Sequence, residues 1–304
     1  MTSGETTLAR LGGIHLWRRS ESLMDGWHGS CICEYNQAML SIDRLRSQLP
    51  VRGMGRELEL HLAIGSTNDR AAELARLGAS QGTLVVAEEQ TAGRGRAGTR
   101  WSTPPGSALA LSLVLRPKDL APQAVGRMSA VGALAVVEAL EAQGAAAQIK
   151  WPNDVLIGGR KTAGVLVEGF WEGAKLEYMV VGIGVNVRPA SVPPDGQAAY
   201  PATCVEAVVG RSVDRQDLLL SVVDGVGRWY PRVGTPELLM AWERRLAFMD
   251  QEVSVFDAQQ GLEIRGIVQG LAEDGRLRLL TETGSEVQIG VEATHLRPIE
   301  TGSQ

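Results

Sequence analysis

The chain has 304 residues, 44% of them apolar and 21% charged, a composition typical of a globular protein that can bury a sizeable core. Its formal net charge of -5, from 35 acidic and 30 basic residues, excludes a general affinity for nucleic acid or anionic membranes. No apolar run reaches about 18 residues and no signal pattern opens the chain, so we expect a cytoplasmic protein. Three irregularly spaced cysteines do not indicate a disulfide framework.

Residues 1–55 differ in character from the sequence that follows them. They show no sustained helical or strand period, apart from one helical stretch near 36–48. We therefore expect a poorly ordered N-terminal extension, within which Met39 could act as a second start. A helix-turn-helix would need a compact unit with a basic recognition helix, and this stretch does not provide one.

Residues 56–247 carry clear helix and strand patterns and form the main predicted domain. Apolar alternation and apolar runs predict strands at 58–64, 83–87, 107–115, 148–150, 161–170 and 178–187. Capping and periodicity signals predict helices at 66–76, 122–143, 215–230 and 236–246. This mixture predicts an α+β fold, with a mixed sheet and helices on one face.

Residues 248–304 form a second predicted domain. Short alternating strands such as Val253–Val255 and Leu277–Leu279 are separated by turn signals, including Glu273-Asp274-Gly275. Several strands at this spacing predict a small C-terminal β-barrel.

The segment Gly93–Trp101 reads GRGRAGTRW and combines flexible glycines with three arginines. Glycine lets the backbone approach a ligand closely, and arginine offers paired donors to a phosphate or carboxylate. The alternative is a solvated turn whose arginines only keep the loop soluble.

A second polar segment, Lys150-Trp151-Pro152-Asn153-Asp154, follows a predicted strand. Its proline predicts a rigid turn that places an amide and a carboxylate at the end of the strand. Asp154 could hold Mg²⁺ or orient a nearby lysine, and the alternative is an Asn-Asp turn that satisfies its own backbone.

Lys161 begins an apolar strand, so its ammonium group could point into a pocket and meet an anion. The alternative is a lysine that extends from the strand end into solvent. In the later strand, Gly182 and Gly184 alternate along one face, which predicts room for a ligand beside the sheet.

Taken together and in this order, these segments resemble the catalytic domain of the biotin protein ligases, the biotin–[acetyl-CoA-carboxylase] ligases. Ser66-Thr67-Asn68 and Gln90 also match the family's pattern. The resemblance covers residues 58–187, and the C-terminal strands are similar to the family's SH3-like domain. It implies a class II synthetase-like fold of the biotin and lipoate ligases.

The resemblance also implies roles for individual residues. Arg96 and Lys161 would be catalytic, and Asp154 would lie in the magnesium region. The implied biotin-binding residues are Ser66, Thr67, Asn68, Gln90, Arg94, Gly95, Arg96, Lys161, Gly164 and Gly184. The implied ATP-binding residues are Arg96, Trp101, Lys150, Asn153, Lys161 and Asn186.

The implied reaction uses biotin, ATP and Mg²⁺. Biotin would be activated to biotinyl-5'-AMP and passed to a lysine of a biotin carboxyl carrier protein, by a monomer or homodimer that binds neither nucleic acid nor membrane. One position departs from the family's pattern, because Thr99 stands where many members carry an arginine. We expect residues 93–100 to be mobile until a ligand binds, and Thr99 to weaken retention of the adenylate.

Three other functions remain open at this point. A lipoate–protein ligase shares the implied fold and chemistry, but its Arg-Arg-Xaa-Ser-Gly-Gly-Gly loop is absent here. A bifunctional ligase and biotin operon repressor would need the DNA-binding unit that residues 1–55 lack. A non-catalytic biotin-binding module is disfavoured because both Arg96 and Lys161 are present.

Overall fold

The fold is given by a computed structural model, which describes residues 10–11, 14–15, 39–50, 53–117, 120–194, 196–257, 261–291 and 294–299. Most of residues 1–38 therefore lies outside the described part, and so does the expectation of a poorly ordered extension there. Within that region only a pair of antiparallel two-residue strands is described, β1 (Arg10–Leu11) and β2 (Ile14–His15).

A seven-stranded sheet forms the centre of the main domain. Its strands are β3 (Leu58–His61), β4 (Leu84–Ala87), β5 (Ala108–Leu115), β6 (Ala147–Lys150), β7 (Asp154–Ile157), β8 (Arg160–Glu172) and β9 (Lys175–Asn186). They lie in the order β3-β4-β5-β9-β8-β7-β6, with β3 and β4 parallel and all other neighbours antiparallel. The predicted mixed sheet is confirmed, and β7 is an additional strand that pairs Asp154 with Lys150.

The described helices are α1 (Ile42–Gln48), α2 (Thr67–Arg76), α3 (Pro122–Val125), α4 (Met128–Ala142), α5 (Val205–Val209), α6 (Arg215–Trp229) and α7 (Pro236–Glu243). The predicted continuous helix over 122–143 is wrong, because Gly126 and Arg127 separate α3 from α4. Backbone from the C-terminal domain comes close here, and a side-chain carbon on Gly126 would lie 3.4 Å from the Asp274 carbonyl oxygen. None of the described helices is both long and apolar enough to cross a membrane.

Helices cover both faces of the sheet, so the prediction of helices on one face is wrong. Ala71 and Ala75 of α2 pack with Val85, Val114 and Val180 from one face of the strands. The alternate strand residues, such as Leu84, Leu113 and Val181, belong to the larger core, which also contains most of α4 and the buried residues of α6. Because side chains alternate between faces along a strand, the two groups must lie on opposite sides of the sheet.

Residues 39–50 pack against this core although they belong to the predicted extension. Leu45 of α1 is fully buried, and the Leu40 backbone N–H donates to the Glu88 carboxylate over 2.5 Å. Glu88 also pairs with Arg215 of α6 at 2.7 Å, and both side chains are almost completely buried. The segment is therefore connected by packing and by hydrogen bonds to the centre of the main domain.

At the edge of the sheet, Glu59 on β3 accepts hydrogen bonds from Arg70 at 2.8 Å and pairs with His61 at 2.9 Å. Burial of Glu59 on its own would raise the pKa of this carboxyl group. The hydrogen bonds and charges of Arg70 and His61 outweigh burial and lower the pKa to about 2.

The C-terminal domain is a five-stranded antiparallel sheet in the order β13-β12-β11-β10-β14. Its strands are β10 (Glu252–Asp257), β11 (Leu262–Leu271), β12 (Leu277–Leu280), β13 (Glu286–Ile289) and β14 (Thr294–Pro298). β13 and β14 form the two edges, and no ladder joins them within the described strands, so a closed barrel is not shown. Trp151 of the main domain donates its indole N–H to the Gly275 carbonyl at 2.9 Å, which links the two domains beside the turn at 150–154.

Candidate active site

A single cavity of about 460 Å³ lies between the sheet, the arginine-rich loop and the edge of the C-terminal domain. Every site residue predicted from the sequence lines it, namely Ser66, Thr67, Asn68, Gln90, Arg94, Gly95, Arg96, Trp101, Lys150, Asn153, Asp154, Lys161, Gly164, Gly184 and Asn186. Folding thus brings together segments that lie far apart in the chain.

The start of α2 supplies one polar wall of the cavity. Ser66 is the N-cap residue, but its side chain makes no capping hydrogen bond, and it is buried where it lines the cavity. The Thr67 backbone N–H donates to Gln90 Oε1 at 2.9 Å, and Thr67 Oγ1 lies 3.1 Å from the same oxygen. Gln90 Nε2 donates to Thr103 Oγ1 at 3.2 Å, so both ends of the Gln90 amide are held.

Asn68 continues this wall and is connected to two residues that the sequence analysis did not select. Its Nδ2 donates to Glu168 Oε2 at 2.6 Å, and its Oδ1 lies 2.6 Å from Ser112 Oγ. Ser112 Oγ also lies 2.8 Å from Thr67 Oγ1. No local signal in the sequence marks Ser112, because it is one polar residue inside the apolar strand β5.

The alternating glycines of β9 make room for side chains of the protein itself. A side-chain carbon on Gly182 would lie 2.1 Å from Asn68 Oδ1, and one on Gly184 would lie 2.4 Å from the Trp101 ring. Contacts this short do not occur between real atoms, so glycine is required at both positions for Asn68 and Trp101 to lie against the sheet. Both glycines also line the cavity, and the predicted room for a ligand beside the sheet stays a prediction.

Lys161 and Lys150 lie on either side of one carboxylate. Lys161 Nζ is 2.6 Å from Asp154 Oδ1, and Lys150 Nζ is 3.0 Å from Oδ2. Burial of Asp154 on its own would raise the pKa of its carboxyl group, but the charges and hydrogen bonds of the two lysines hold it below its usual value. Lys161 Nζ also lies 5.6 Å from the centre of the Trp101 ring. Two ammonium groups against one carboxylate leave net positive charge at this end of the cavity.

This arrangement does not fit Asp154 as a ligand of a resident magnesium ion. Both carboxylate oxygens already contact ammonium groups, and Mg²⁺ requires an octahedral set of oxygen ligands. Within the described part of the chain, no group of three or more His, Cys, Asp or Glu side chains could hold a metal ion.

The arginine-rich loop is closed by hydrogen bonds of its own. The Gly95 N–H donates to the Thr99 carbonyl at 2.7 Å, the Trp101 N–H donates to the Gly93 carbonyl at 2.9 Å, and the Thr99 hydroxyl donates to the Arg96 carbonyl at 2.8 Å. The loop therefore has internal hydrogen bonds that its glycines and arginines did not indicate, and its mobility before a ligand binds stays a prediction. Thr99, the departure from the family's pattern, takes part in this closure.

Two arginines attach the loop to its surroundings. Arg94 donates to both oxygens of Asp69, at 2.6 and 2.8 Å, and this bond lowers the pKa of Asp69. Arg96 reaches across the cavity to Asn153 Oδ1 at 3.2 Å and to the Val291 carbonyl of the C-terminal domain. Arg96 therefore lies close to the charged cluster, whereas Arg94 is held at the exposed rim.

The structure adds cavity residues that the sequence analysis missed. Tyr200 lies close to two cations, with Lys150 Nζ 5.0 Å and Arg297 Cζ 5.7 Å from its ring centre, and burial raises the pKa of Tyr200. The Pro201 carbonyl accepts from the Lys161 N–H at 2.7 Å, which holds this loop against the start of β8. Arg297 belongs to β14, and no pattern in the sequence connects that strand to a site in the other domain.

Comparisons with known proteins identify the family of this chain. The model of the "Biotin/lipoate A/B protein ligase family" matches residues 63–186. The biotin–[acetyl-CoA-carboxylase] ligase of Paracoccus denitrificans is 39% identical over 233 residues, which cover 73% of this chain and 93% of the relative. The bifunctional ligase/repressor BirA of Bacillus subtilis is 36% identical over 210 residues, and the chain spans only 64% of the length of that relative.

A solved structure is also similar to this chain. The biotin protein ligase from Aquifex aeolicus, in complex with biotin and ATP, superposes with a TM-score of 0.68 at 29% identity. The superposition covers 80% of this chain and 100% of the Aquifex chain. The chain therefore belongs to the biotin protein ligases of the biotin/lipoate A/B protein ligase family.

Proposed function

We propose that the protein is a biotin–protein ligase, which activates biotin with ATP and transfers it to a lysine of a biotin carboxyl carrier protein. One observation carries this proposal: a single cavity joins a hydrogen-bonding wall to a cluster with net positive charge. Such a cavity suits a ligand with a polar ring at one end and an anion at the other. The relatives named as biotin–[acetyl-CoA-carboxylase] ligases support the same substrates.

The two ends of the cavity would divide the substrates between them. The wall formed by Ser66, Thr67, Asn68 and Gln90 would bind the ring urea of biotin, and the biotin carboxylate would extend toward Lys161. ATP would lie at the charged end, against the residues Arg96, Trp101, Lys150, Asn153, Asn186, Tyr200 and Arg297.

In the first step an oxygen of the biotin carboxylate attacks the α-phosphorus of ATP. A new oxygen–phosphorus bond forms, the bond to the β-phosphate breaks, and biotinyl-5'-AMP and pyrophosphate result. Negative charge grows on the phosphoryl oxygens, where the fixed cations Arg96 and Lys161 stabilise it most. Magnesium would enter with the phosphates of ATP and not at a site centred on Asp154.

In the second step the ε-amine of the carrier's lysine attacks the mixed anhydride, an amide forms, and AMP leaves. Closure of the arginine-rich loop would keep water away from the adenylate between the two steps. We assign this chemistry to a catalytic domain over residues 56–247, with residues 248–304 as an SH3-like domain whose Arg297 and Val291 border the site.

The test is biotin-dependent exchange of labelled pyrophosphate into ATP, followed by transfer of biotin to a purified carrier domain. We expect exchange with biotin and none with lipoate. Exchange that depends on lipoate instead would establish the lipoate ligase alternative, and exchange with neither acid would overturn the proposal.

A second candidate function comes from the relatives named as bifunctional ligase/repressors, although the sequence pattern of residues 1–55 does not indicate the DNA-binding unit that a repressor needs. An electrophoretic shift of biotin operator DNA, with and without biotin and ATP, tests it. A shift that requires both small molecules would add repressor activity to the ligase.

A further inference from the structure

Ser112 lies behind the polar wall and not in the cavity. It is completely buried in β5, it is not among the residues that line the cavity, and its hydroxyl touches two residues that do, Thr67 and Asn68. The geometry points to Ser112 as a positioning residue that makes the Thr67 hydroxyl an acceptor and so sets the site's specificity for a ring N–H. This inference rests on the proposed function.

The argument starts from the orientation of the Asn68 amide. Asn68 Nδ2 lies 2.6 Å from a carboxylate oxygen of Glu168, which accepts hydrogen bonds and does not donate them. The amide nitrogen must therefore face Glu168, and the amide oxygen must face Ser112. Since Asn68 Oδ1 can only accept, the proton in its 2.6 Å contact with Ser112 belongs to Ser112.

The single hydroxyl proton of Ser112 is therefore donated to Asn68 Oδ1 and is not available to Thr67. A serine hydroxyl carries one proton, so the 2.8 Å contact between Ser112 Oγ and Thr67 Oγ1 needs a proton from Thr67. The competing acceptor for the Thr67 proton is Gln90 Oε1, at 3.1 Å. Hydroxyl hydrogen bonds are favoured near 2.7–2.8 Å, so the shorter contact, with Ser112, retains the proton.

Thr67 Oγ1 and Gln90 Oε1 lie within hydrogen-bond distance of each other, at 3.1 Å, at the cavity wall. In the inferred proton order the Thr67 proton points to Ser112 instead, so these two oxygens both act as acceptors. A ligand N–H placed against both would relieve the repulsion between their lone pairs. A ligand oxygen at the same place would add a third acceptor. In this proton order Thr67 donates to Ser112 and Ser112 donates to Asn68. The two acceptors at the wall therefore favour the ring urea of biotin, which carries two N–H groups, over a ring with an oxygen in place of one of them.

The test compares biotin with its two cyclic carbamate analogues, each with one ring N–H replaced by oxygen. Equilibrium dissociation constants are measured for the wild type, Ser112→Ala, Ser112→Thr and the control Ser107→Ala. Ser107 is also buried and adjoins β5, but its hydroxyl donates to the Pro104 carbonyl, outside the polar wall.

We expect the wild type to disfavour one carbamate by roughly 10²-fold or more, because a site built for an N–H rejects an isostere that cannot donate. In Ser112→Ala the Thr67 proton is no longer held by Ser112 and points into the space between Gln90 Oε1 and the ligand, where it can also be donated to a ligand oxygen, so this ratio should fall by roughly tenfold. Ser112→Thr, which keeps the hydroxyl, should restore the ratio, and Ser107→Ala should leave it unchanged. The adenylation rate at saturating biotin should change by less than about threefold in Ser112→Ala, since the hydroxyl does not touch the reacting atoms.

An unchanged carbamate ratio in a folded Ser112→Ala that still binds biotin would overturn the inference while the proposed function stood. If Ser112→Ala does not fold, an unchanged ratio in Glu168→Ala, which frees the Asn68 amide to rotate, would overturn it equally. Absence of biotin binding by the wild type would instead overturn the proposed function.

Discussion

Replacing Lys161 by alanine tests the assignment of the positively charged end of the cavity. The substitution removes the ammonium group that lies 2.6 Å from Asp154 Oδ1 and borders the cavity. If this group stabilises charge that grows on the α-phosphate, its loss should slow adenylation much more than it destabilises the fold.

From the structure we expect a large loss in adenylation rate and a smaller loss in the free energy of unfolding. Loss of one preorganised donor to a developing oxyanion typically costs roughly 10²–10³ in rate, or about 3–4 kcal/mol. The stability cost should be smaller, because Lys150 remains 3.0 Å from Asp154 and keeps the carboxylate paired. The Lys161 side chain is also 26% exposed, so we expect a loss on the order of 1 kcal/mol in the free energy of unfolding.

The assay is biotin-dependent pyrophosphate exchange at saturating biotin and ATP, with urea unfolding of the same samples. Lys175→Ala is the matched control, because that lysine is 78% exposed and pairs only with Glu177 in the described structure. Near-wild-type exchange in a folded Lys161→Ala would refute the reasoning. Equal losses in the control would show that the effect is not specific to the site.

Three further predictions follow from the same contacts. Gly184→Ala should displace Trp101, since the new carbon would lie 2.4 Å from the ring, and weaken ATP binding roughly tenfold or more in calorimetry. Asp69→Asn should loosen the loop held by Arg94, and faster release of preformed adenylate would show this, whereas an unchanged off-rate would contradict it. Glu59→Gln should flatten the acid dependence of stability. The pKa of Glu59 is lowered from 4.5 to about 2, so its ionised form stabilises the fold above pH 4.5, and this contribution is lost as the pH falls toward 2. Urea midpoints between pH 6 and 3 that fall equally in both proteins would rule this out.

The sequence alone predicted the segments of the site and most of the elements that carry them. Thr67 at a helix start, Lys161 at a strand start and the arginine-rich loop were each found from residue types and local period. These signals are local, because capping and apolar period depend only on neighbouring residues. The boundaries of β4 and β5 agree with prediction within one residue for the same reason.

Other features depended on contacts that local patterns do not contain. The break between α3 and α4 occurs where the C-terminal domain approaches Gly126. Helices cover the second face of the sheet because α2 packs against that face. The attachment of the arginine-rich loop to α2 depends on Asp69, which meets Arg94 only after folding.

The residues that line the cavity and those that support its walls were also decided by tertiary structure. Ser112 is one hydroxyl in an apolar strand, and Arg297 is one arginine in a strand of another domain, so neither stands out in the chain. Both matter because the fold places them beside Thr67 and Tyr200. A hydrogen bond or a cation over a ring depends on distance in space, and for residues more than about ten positions apart that distance is set by the packing of the sheet and its helices and not by neighbouring sequence.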